Sequence, residues 1–217
     1  MNVNAGSDTI STTLRAIFYY LLKNPSTLLR AYSELDTAVA ESKISPIFVT
    51  WAESQSLPYL HAVILEALRI HPAISLPLER VVPASGLQLP NGVYLPPGTV
   101  VGVNPWVLHR DKRIFGADAD YWRPERWLDQ DVEVIKAMER SLLSFGAGKR
   151  SCLGKNIAML ELHKIVSALL LRYNFQLVNP KKEWKLKNRW VITQEGLEVL
   201  ISRRQRKEEF SRAAIAS

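Results

Sequence analysis

The sequence predicts a mainly α-helical fold with small β-sheets, and three features carry that prediction. Apolar residues recur at helical spacing towards both ends of the 217-residue chain, eight of its twelve prolines crowd between Pro72 and Pro124, and short β-leaning runs lie among those prolines. Ile10, Leu14, Ile17 and Leu21 share one helical face, so a first helix is expected over about Ala5 to Leu22. Asn24-Pro25 reads as an N-cap with proline in the first turn of a second helix, whose stripe is Leu28, Tyr32, Leu35 and Val39. A turn near Ser45-Pro46 and a short helical piece around Phe48 to Gln55 lead to a third helix over about Leu57 to Ile70. That helix must stop at His71-Pro72, because proline disfavours helical geometry in the residue before it.

Leu78 to Val82, Gly86 to Leu89, Val93 to Leu95 and Thr99 to Val103 are the expected strands of the proline-rich middle, with Asn91-Gly92 as a hairpin turn. A last long helix, Leu153 to Tyr173, is expected to present Ala158, Leu162, Ile165 and Leu169 on one face. Val191 to Ile201 then reads as a final hairpin turning at Gln194-Glu195-Gly196.

Composition narrows the class. Hydrophobic residues make up 47% of the chain and charged residues 23%, which favours a real core over disorder. A single cysteine, Cys152, excludes an internal disulfide framework and permits a reducing compartment. The longest apolar runs, Ala16 to Leu22 and Ile165 to Leu171, fall short of the roughly 20 residues that cross a bilayer. The start, Met-Asn-Val-Asn-Ala-Gly-Ser-Asp, lacks the charged and apolar regions of a signal peptide, so the chain as it stands is expected to be soluble. Of the net charge of +7, Lys and Arg outnumber Asp and Glu by 18 to 16 over residues 1–180 and by 10 to 5 over residues 181–217. The excess therefore belongs largely to the carboxyl terminus, where residues 204–217 read as a basic, disordered tail. With no recognition module present, no nucleic-acid partner is expected.

The chemistry centres on Phe145-Gly146-Ala147-Gly148-Lys149-Arg150-Ser151-Cys152-Leu153-Gly154, a glycine-rich loop running into the last helix. Glycines permit tight turns and close approach to a flat ligand, and a helix amino terminus favours a thiolate, the form of cysteine that binds metal. No His/Cys cluster at zinc spacing accompanies Cys152, so one thiolate suits an iron whose other positions a macrocycle fills. Taken alone, Cys152 reads rather as a small buried hydrophobe, the usual fate of an isolated free cysteine. Glu66 and Arg69 alone read as an ordinary helix pair, and Asp8 and Thr9 as capping residues.

Phe145, Gly148, Arg150, Cys152 and Gly154 fit the Phe-x-x-Gly-x-Arg-x-Cys-x-Gly signature of the cytochromes P450 at every fixed position. Glu66-Ala-Leu-Arg69 resembles the Glu-x-x-Arg motif, Pro124-Glu125-Arg126-Trp127 the Pro-Glu-Arg-Phe segment with Trp in its last place, and Ala5-Gly6-Ser7-Asp8-Thr9 the oxygen-activation motif, all in the family's order. The resemblance covers about residues 3–203 and implies a partial P450 domain over residues 1–203, from distal helix to final hairpin. It implies a haem-thiolate monooxygenase that inserts oxygen from O2 into a small organic substrate. The cofactor would be haem b, iron protoporphyrin IX. Electrons would come from a partner of the cytochrome P450 reductase type, with NADPH involved only indirectly.

Residue by residue, the resemblance implies Cys152 as axial iron ligand, Phe145, Gly148 and Gly154 around the proximal face of the ring, and Arg150 and Arg80 as cations for the haem propionates. It implies a scaffold triad of Glu66, Arg69 and Arg126. Thr9 would orient bound dioxygen and Asp8 would help deliver protons, in the middle of a helix where Gly6 makes room. Substrate contacts are expected from Ala73 to Leu78 and near Thr193 and Gln194. His109 is expected to make a structural hydrogen bond; His61, His71 and His163 receive no chemistry.

Complete members of the family are about twice as long, with an amino-terminal half that carries Trp-x-x-x-Arg haem contacts and much of the substrate pocket. That half is not found in this chain, which leaves a non-catalytic fragment as the alternative. The segment after His109 and the Pro-Glu-Arg-Trp variant resemble eukaryotic microsomal members, fungal ones among them. A full-length relative of that kind is expected on the cytosolic face of the endoplasmic reticulum membrane.

Overall fold

The computed structural model describes residues 2–74 and 76–205. Four helices build its centre: α1 (Asn2–Lys23), α2 (Pro25–Ala40), α4 (Pro58–Ile70) and α8 (Lys155–Arg172), with the one-turn α3 (Trp51–Ser54) between α2 and α4. Ile17 and Leu21 of α1, Leu35 of α2, Leu60, Val63 and Ile64 of α4, and Leu162, Val166 and Leu170 of α8 interlock in one cluster. Ala62 of α4 packs on the helix's other side into a smaller cluster with Phe115, Ala119, Trp127 and Met138. Buried from both directions, α4 is the axis of the structure.

The proline-rich middle forms the expected strands. β1 (Leu78–Val81) pairs antiparallel with β4 (Val100–Val103), Leu78 opposite Val103. β2 (Leu87–Gln88) pairs with β3 (Tyr94–Leu95) across the Asn91-Gly92 turn, where Gly92 takes φ 86° and the Asn91 carboxamide oxygen accepts from the Val93 N–H. Two one-turn helices follow, α5 (Pro105–Leu108) and α6 (Lys112–Phe115), then a 3-10 turn over Pro124–Trp127 and α7 (Val132–Ser141). Two further 3-10 turns, Leu143–Phe145 and Gly148–Arg150, flank the glycines before α8.

The structure corrects several local expectations. Asn24 does precede α2, but its side chain donates back to the Tyr20 carbonyl of α1 and makes no cap bond to α2. α8 buries Leu162, His163, Val166, Ser167 and Leu170, whereas Ile165 of the expected stripe is 37% exposed, because apolar residues occur on more than one face of this helix and neighbours select one. The helix also ends at Arg172: Tyr173, Phe175 and Leu177 alternate inward as β5 (Tyr173–Leu177).

The expected final hairpin is two ladders instead. β7 (Thr193–Glu195) pairs back with β6 (Lys185–Lys187), and β8 (Val199–Arg203) pairs with β5. Gly196 at φ 90° turns the chain between β7 and β8 without pairing them. Arg204, expected to open a disordered tail, donates to the Leu170 carbonyl and Asp36, with its guanidinium 4.3 Å from the Tyr32 ring centre. Residues 206–217 of that tail lie outside the described residues.

Candidate functional site

The motif residues on α4 are wholly buried. Arg69 meets the Glu66 carboxylate as a fork, Nε to Oε2 at 2.9 Å and Nη2 to Oε1 at 2.7 Å. Arg126 brings its Nε within 3.1 Å of both oxygens, so the bidentate partner is Arg69 and the second arginine shares a single N–H between them. The backbone N–H of Arg123 and the indole N–H of Trp127 complete the donor set, at 2.9 and 3.0 Å. Trp127 is thereby accounted for: where the motif has phenylalanine, this chain gains a donor to the carboxylate.

The rest of both guanidinium groups is consumed largely by backbone. Arg69 donates to the carbonyls of His109, Ala119 and Tyr121. Arg126 donates to those of Phe115, Asp118 and Tyr121 and to the Asp118 carboxylate. Burial would raise the Asp118 carboxyl, but hydrogen bonds and charge from Arg126 and Arg123 hold it below the usual range. Each arginine thus has all five N–H groups satisfied, the condition for a buried ion cluster to be tolerated. One helix turn thereby pins the irregular segment from residue 109 to residue 127.

The cysteine loop hangs from the end of the same helix. Ser144 Oγ donates to the Leu68 carbonyl at 2.6 Å. Buried His109 donates from Nδ1 to the Arg69 carbonyl at 2.9 Å, and its Nε2 accepts the Leu143 N–H at 2.8 Å. Burial pushes the His109 imidazole down to about 4, so it stays neutral and keeps Nε2 as an acceptor. Beyond Leu143 the chain turns through Gly146 (φ 67°) and Gly148 (φ 64°), and the Cys152 N–H closes the loop on the Phe145 carbonyl at 2.8 Å.

Cys152 ends this loop with its side chain exposed, unlike the small buried hydrophobe that a lone cysteine suggests. Phe145 is half-buried against the main cluster, with Lys155 Nζ 5.9 Å from its ring centre. A Cβ on Gly148 would meet nothing within 4 Å, and one on Gly154 would sit 3.8 Å from the cysteine sulfur. Arg150 is exposed in the loop; Arg80 is exposed in β1, donating to the Glu79 carbonyl. Leu153 is fully exposed, followed on the same helical side by exposed Ile157 and Leu160.

An accessible sulfur on a glycine loop, beside apolar and cationic side chains, is a donor set that fits a flat iron macrocycle bearing carboxylates. Among the described residues no three His, Cys, Asp or Glu side chains gather as a site for a bare metal ion.

On α1, Asp8 and Thr9 lie in the helix interior rather than at a cap. Asp8 is exposed, and the Thr9 hydroxyl donates to the Ala5 carbonyl at 2.8 Å. A Cβ on half-buried Gly6 would meet nothing within 4 Å, so the helix has a notch one turn before Thr9. The two expected substrate segments pair with each other, and the second is tied to the next turn of α1. Ile192 N–H donates to the Ala73 carbonyl, Ile74 bridges to Val191, and the buried Gln194 amide donates to the Thr12 carbonyl and to His71 Nε2. Gln194 therefore faces inward and ties strands to helix, while Ser75 of the first segment lies outside the described residues. His71, which the sequence left without a role, sits in this knot, and burial lowers its imidazole to about 3.

Notched helix, buried Glu-Arg-Arg cluster and suspended cysteine loop stand in the arrangement that the motif resemblance implies, that of a haem-thiolate fold. The family model for Cytochrome P450 matches residues 2–201, and the chain belongs to that family. It is similar to Cytochrome P450 monooxygenase cicH of Emericella nidulans, 53% identical over 191 residues that cover 88% of this chain and 38% of that protein. It is also similar to pkfB of the same organism, 46% identical over 95% of this chain and 40% of the relative. To mpaDE of Penicillium roqueforti it is 48% identical over 97% of this chain and 24% of the relative. The chain thus spans about two-fifths or less of the length of these relatives. No helix among the described residues is long and apolar enough to cross a membrane.

Proposed function

We propose that these residues form the proximal half of a monooxygenase site and the central turns of its distal helix, with Cys152 the axial thiolate ligand of a haem b iron. The observation that carries this reading is the exposed sulfur at the end of a loop whose backbone is fixed by the buried α4 cluster. Bound haem supplies oxygen activation, using O2 and electrons from a P450 reductase-type partner that draws on NADPH, and a small organic molecule is the substrate.

This chain's own residues then have separate tasks. Cys152 donates sulfur. Gly148 and Gly154 keep side-chain bulk away from the ring, Phe145 packs beside it, and Arg150 and Arg80 bind its carboxylates. Glu66, Arg69 and Arg126 hold the loop's scaffold. On the distal side, the Thr9 hydroxyl turns from the Ala5 carbonyl to hold a water, and exposed Asp8 exchanges protons with solvent. A full-length relative of this kind would act at the cytosolic face of the endoplasmic reticulum membrane.

The exposed stripe of Leu153, Ile157 and Leu160 favours a second reading for the 217-residue chain by itself: the site holds haem only loosely, because apolar surface beside the ligand stays in water. A reduced, carbon-monoxide difference spectrum of the chain with added haem tests both, with Cys152→Ala as control. A strongly red-shifted Soret band that vanishes in the variant supports the ligand assignment. The same band in both proteins overturns it, and no band in either favours the second reading.

A further inference from the structure

His61 on α4 and His163 on α8, 102 positions apart, converge on one point. His163 is buried and donates from Nδ1 to the Met159 carbonyl at 2.7 Å, which fixes its tautomer and makes Nε2 an acceptor. Nε2 faces His61 Nδ1 at 3.0 Å. The edge of Trp51 closes one side of His163, with ring centres 5.3 Å apart, while His61 stands exposed. An imidazole anchored through its far nitrogen to a carbonyl is the usual setting of a metal-binding histidine.

Two imidazole nitrogens with water in the remaining positions form an N,O donor set of the kind that suits Cu2+ and Ni2+, and such sites bind Cu2+ more tightly than the other first-row divalent ions.

We propose that His61 and His163 form a two-histidine site for a tetragonal divalent metal ion of the copper–nickel class, with water in the remaining positions. The ion replaces the shared proton. His61 shifts its proton from Nδ1 to its solvent-facing Nε2, and both lone pairs then point at the metal with no net proton release. Both imidazoles are lowered, His163 by burial and His61 by desolvation where its ring packs on neighbouring groups and by the charge of His163, which leaves them neutral and ready to coordinate near pH 7.

The site is independent of the haem reading. It is tested by titrating Cu2+ into the full chain carrying Cys152→Ser, which removes the exposed thiol as a competing ligand. Electron paramagnetic resonance should show a tetragonal signal split by two imidazole nitrogens. His61→Ala on that background should weaken binding by about 10–100-fold or more and erase the two-nitrogen pattern. His61 is exposed, so the variant should keep the parent's circular dichroism. Unchanged Cu2+ affinity and splitting in His61→Ala, or a Zn2+ affinity above that of Cu2+, would overturn the assignment.

Discussion

Glu66→Gln isolates what the charge on one buried carboxylate contributes. Five N–H groups converge on its two oxygens: Arg69 Nε and Nη2, Arg126 Nε, Trp127 Nε1 and the Arg123 backbone. Glutamine keeps the shape but offers one carbonyl oxygen, and its amide points donors at donors. At least two charge-assisted bonds are lost, at about 1.5–3 kcal/mol each, and of the two buried guanidinium ions Arg126 keeps only the half-exposed Asp118 while Arg69 loses its carboxylate partner. That agrees with the roughly 3–5 kcal/mol for breaking a buried ion cluster on one side, a large part of a typical domain's 5–15 kcal/mol.

Trp127→Phe, the residue the family motif carries, removes one of the five donors and should cost about 1.5–3 kcal/mol. Urea unfolding of wild type and both variants, followed by circular dichroism, orders them. If Glu66→Gln is no more costly than Trp127→Phe, the carboxylate's charge is not what holds the cluster, and Glu66 is not the electrostatic anchor of α4.

Two further outcomes follow from the loop. His109 has its imidazole lowered to about 4 by burial, against an ordinary value near 6.5, so the unfolded chain binds the extra proton more readily than the folded one. Its contribution is complete above pH 6.5 and is lost as pH falls towards 4, by about 3 kcal/mol over the window. His71 titrates in the same direction, so the quantity to measure is the urea midpoint of wild type minus that of His109→Gln at pH 7 and pH 4.5, which should shrink on acidification. For the glycines, Gly148→Ala forces a side chain to φ 64° and should cost about 1–2 kcal/mol, whereas Gly154→Ala, at φ −84° with only ordinary contact to the sulfur, should stay within about 0.5 kcal/mol. Thermal melts of both variants distinguish strain from crowding.

What the sequence disclosed depended on how local the signal was. The helices α1, α2 and α4 were legible because apolar period and proline punctuation lie within one segment, and Pro72 marks the end of α4 to the residue. The ladders of β6 and β8 were not, because Lys185-Leu186-Lys187 has no apolar face and its partner is chosen by chain geometry. At the site, fixed spacing marked Cys152, Glu66, Arg69 and Arg126, and helical spacing alone explains why Glu66 and Arg69 meet. Nothing in the sequence says that Trp127 supplies a donor, that His109 bridges α4 to the cysteine loop, or that His61 lies against His163. Those contacts join segments far apart in the chain and need the third dimension to be seen.

The end of α4 shows how the two kinds of information connect. A helix leaves its last four carbonyls without partners inside it, and Pro72, lacking an N–H, cannot supply one. In α4 all four are answered. Ala67 receives the His71 N–H, Leu68 the Ser144 hydroxyl, Arg69 the His109 imidazole and Ile70 the Arg110 guanidinium. Three of those groups are side chains from two distant segments, and two of the three fix the strand of backbone that leads into the cysteine loop. The proline that stops the helix therefore does more than end an element. It leaves open the acceptors on which the loop is hung, one turn away from the carboxylate that anchors the same helix. The loop's own backbone bonds, Cys152 N–H to the Phe145 carbonyl among them, give it its shape, and its attachment at Leu143 and Ser144 makes its placement a property of α4. A change in the loop that spares Ser144 and His109 should leave the sulfur where it is, and a change at either should move it without touching the motif.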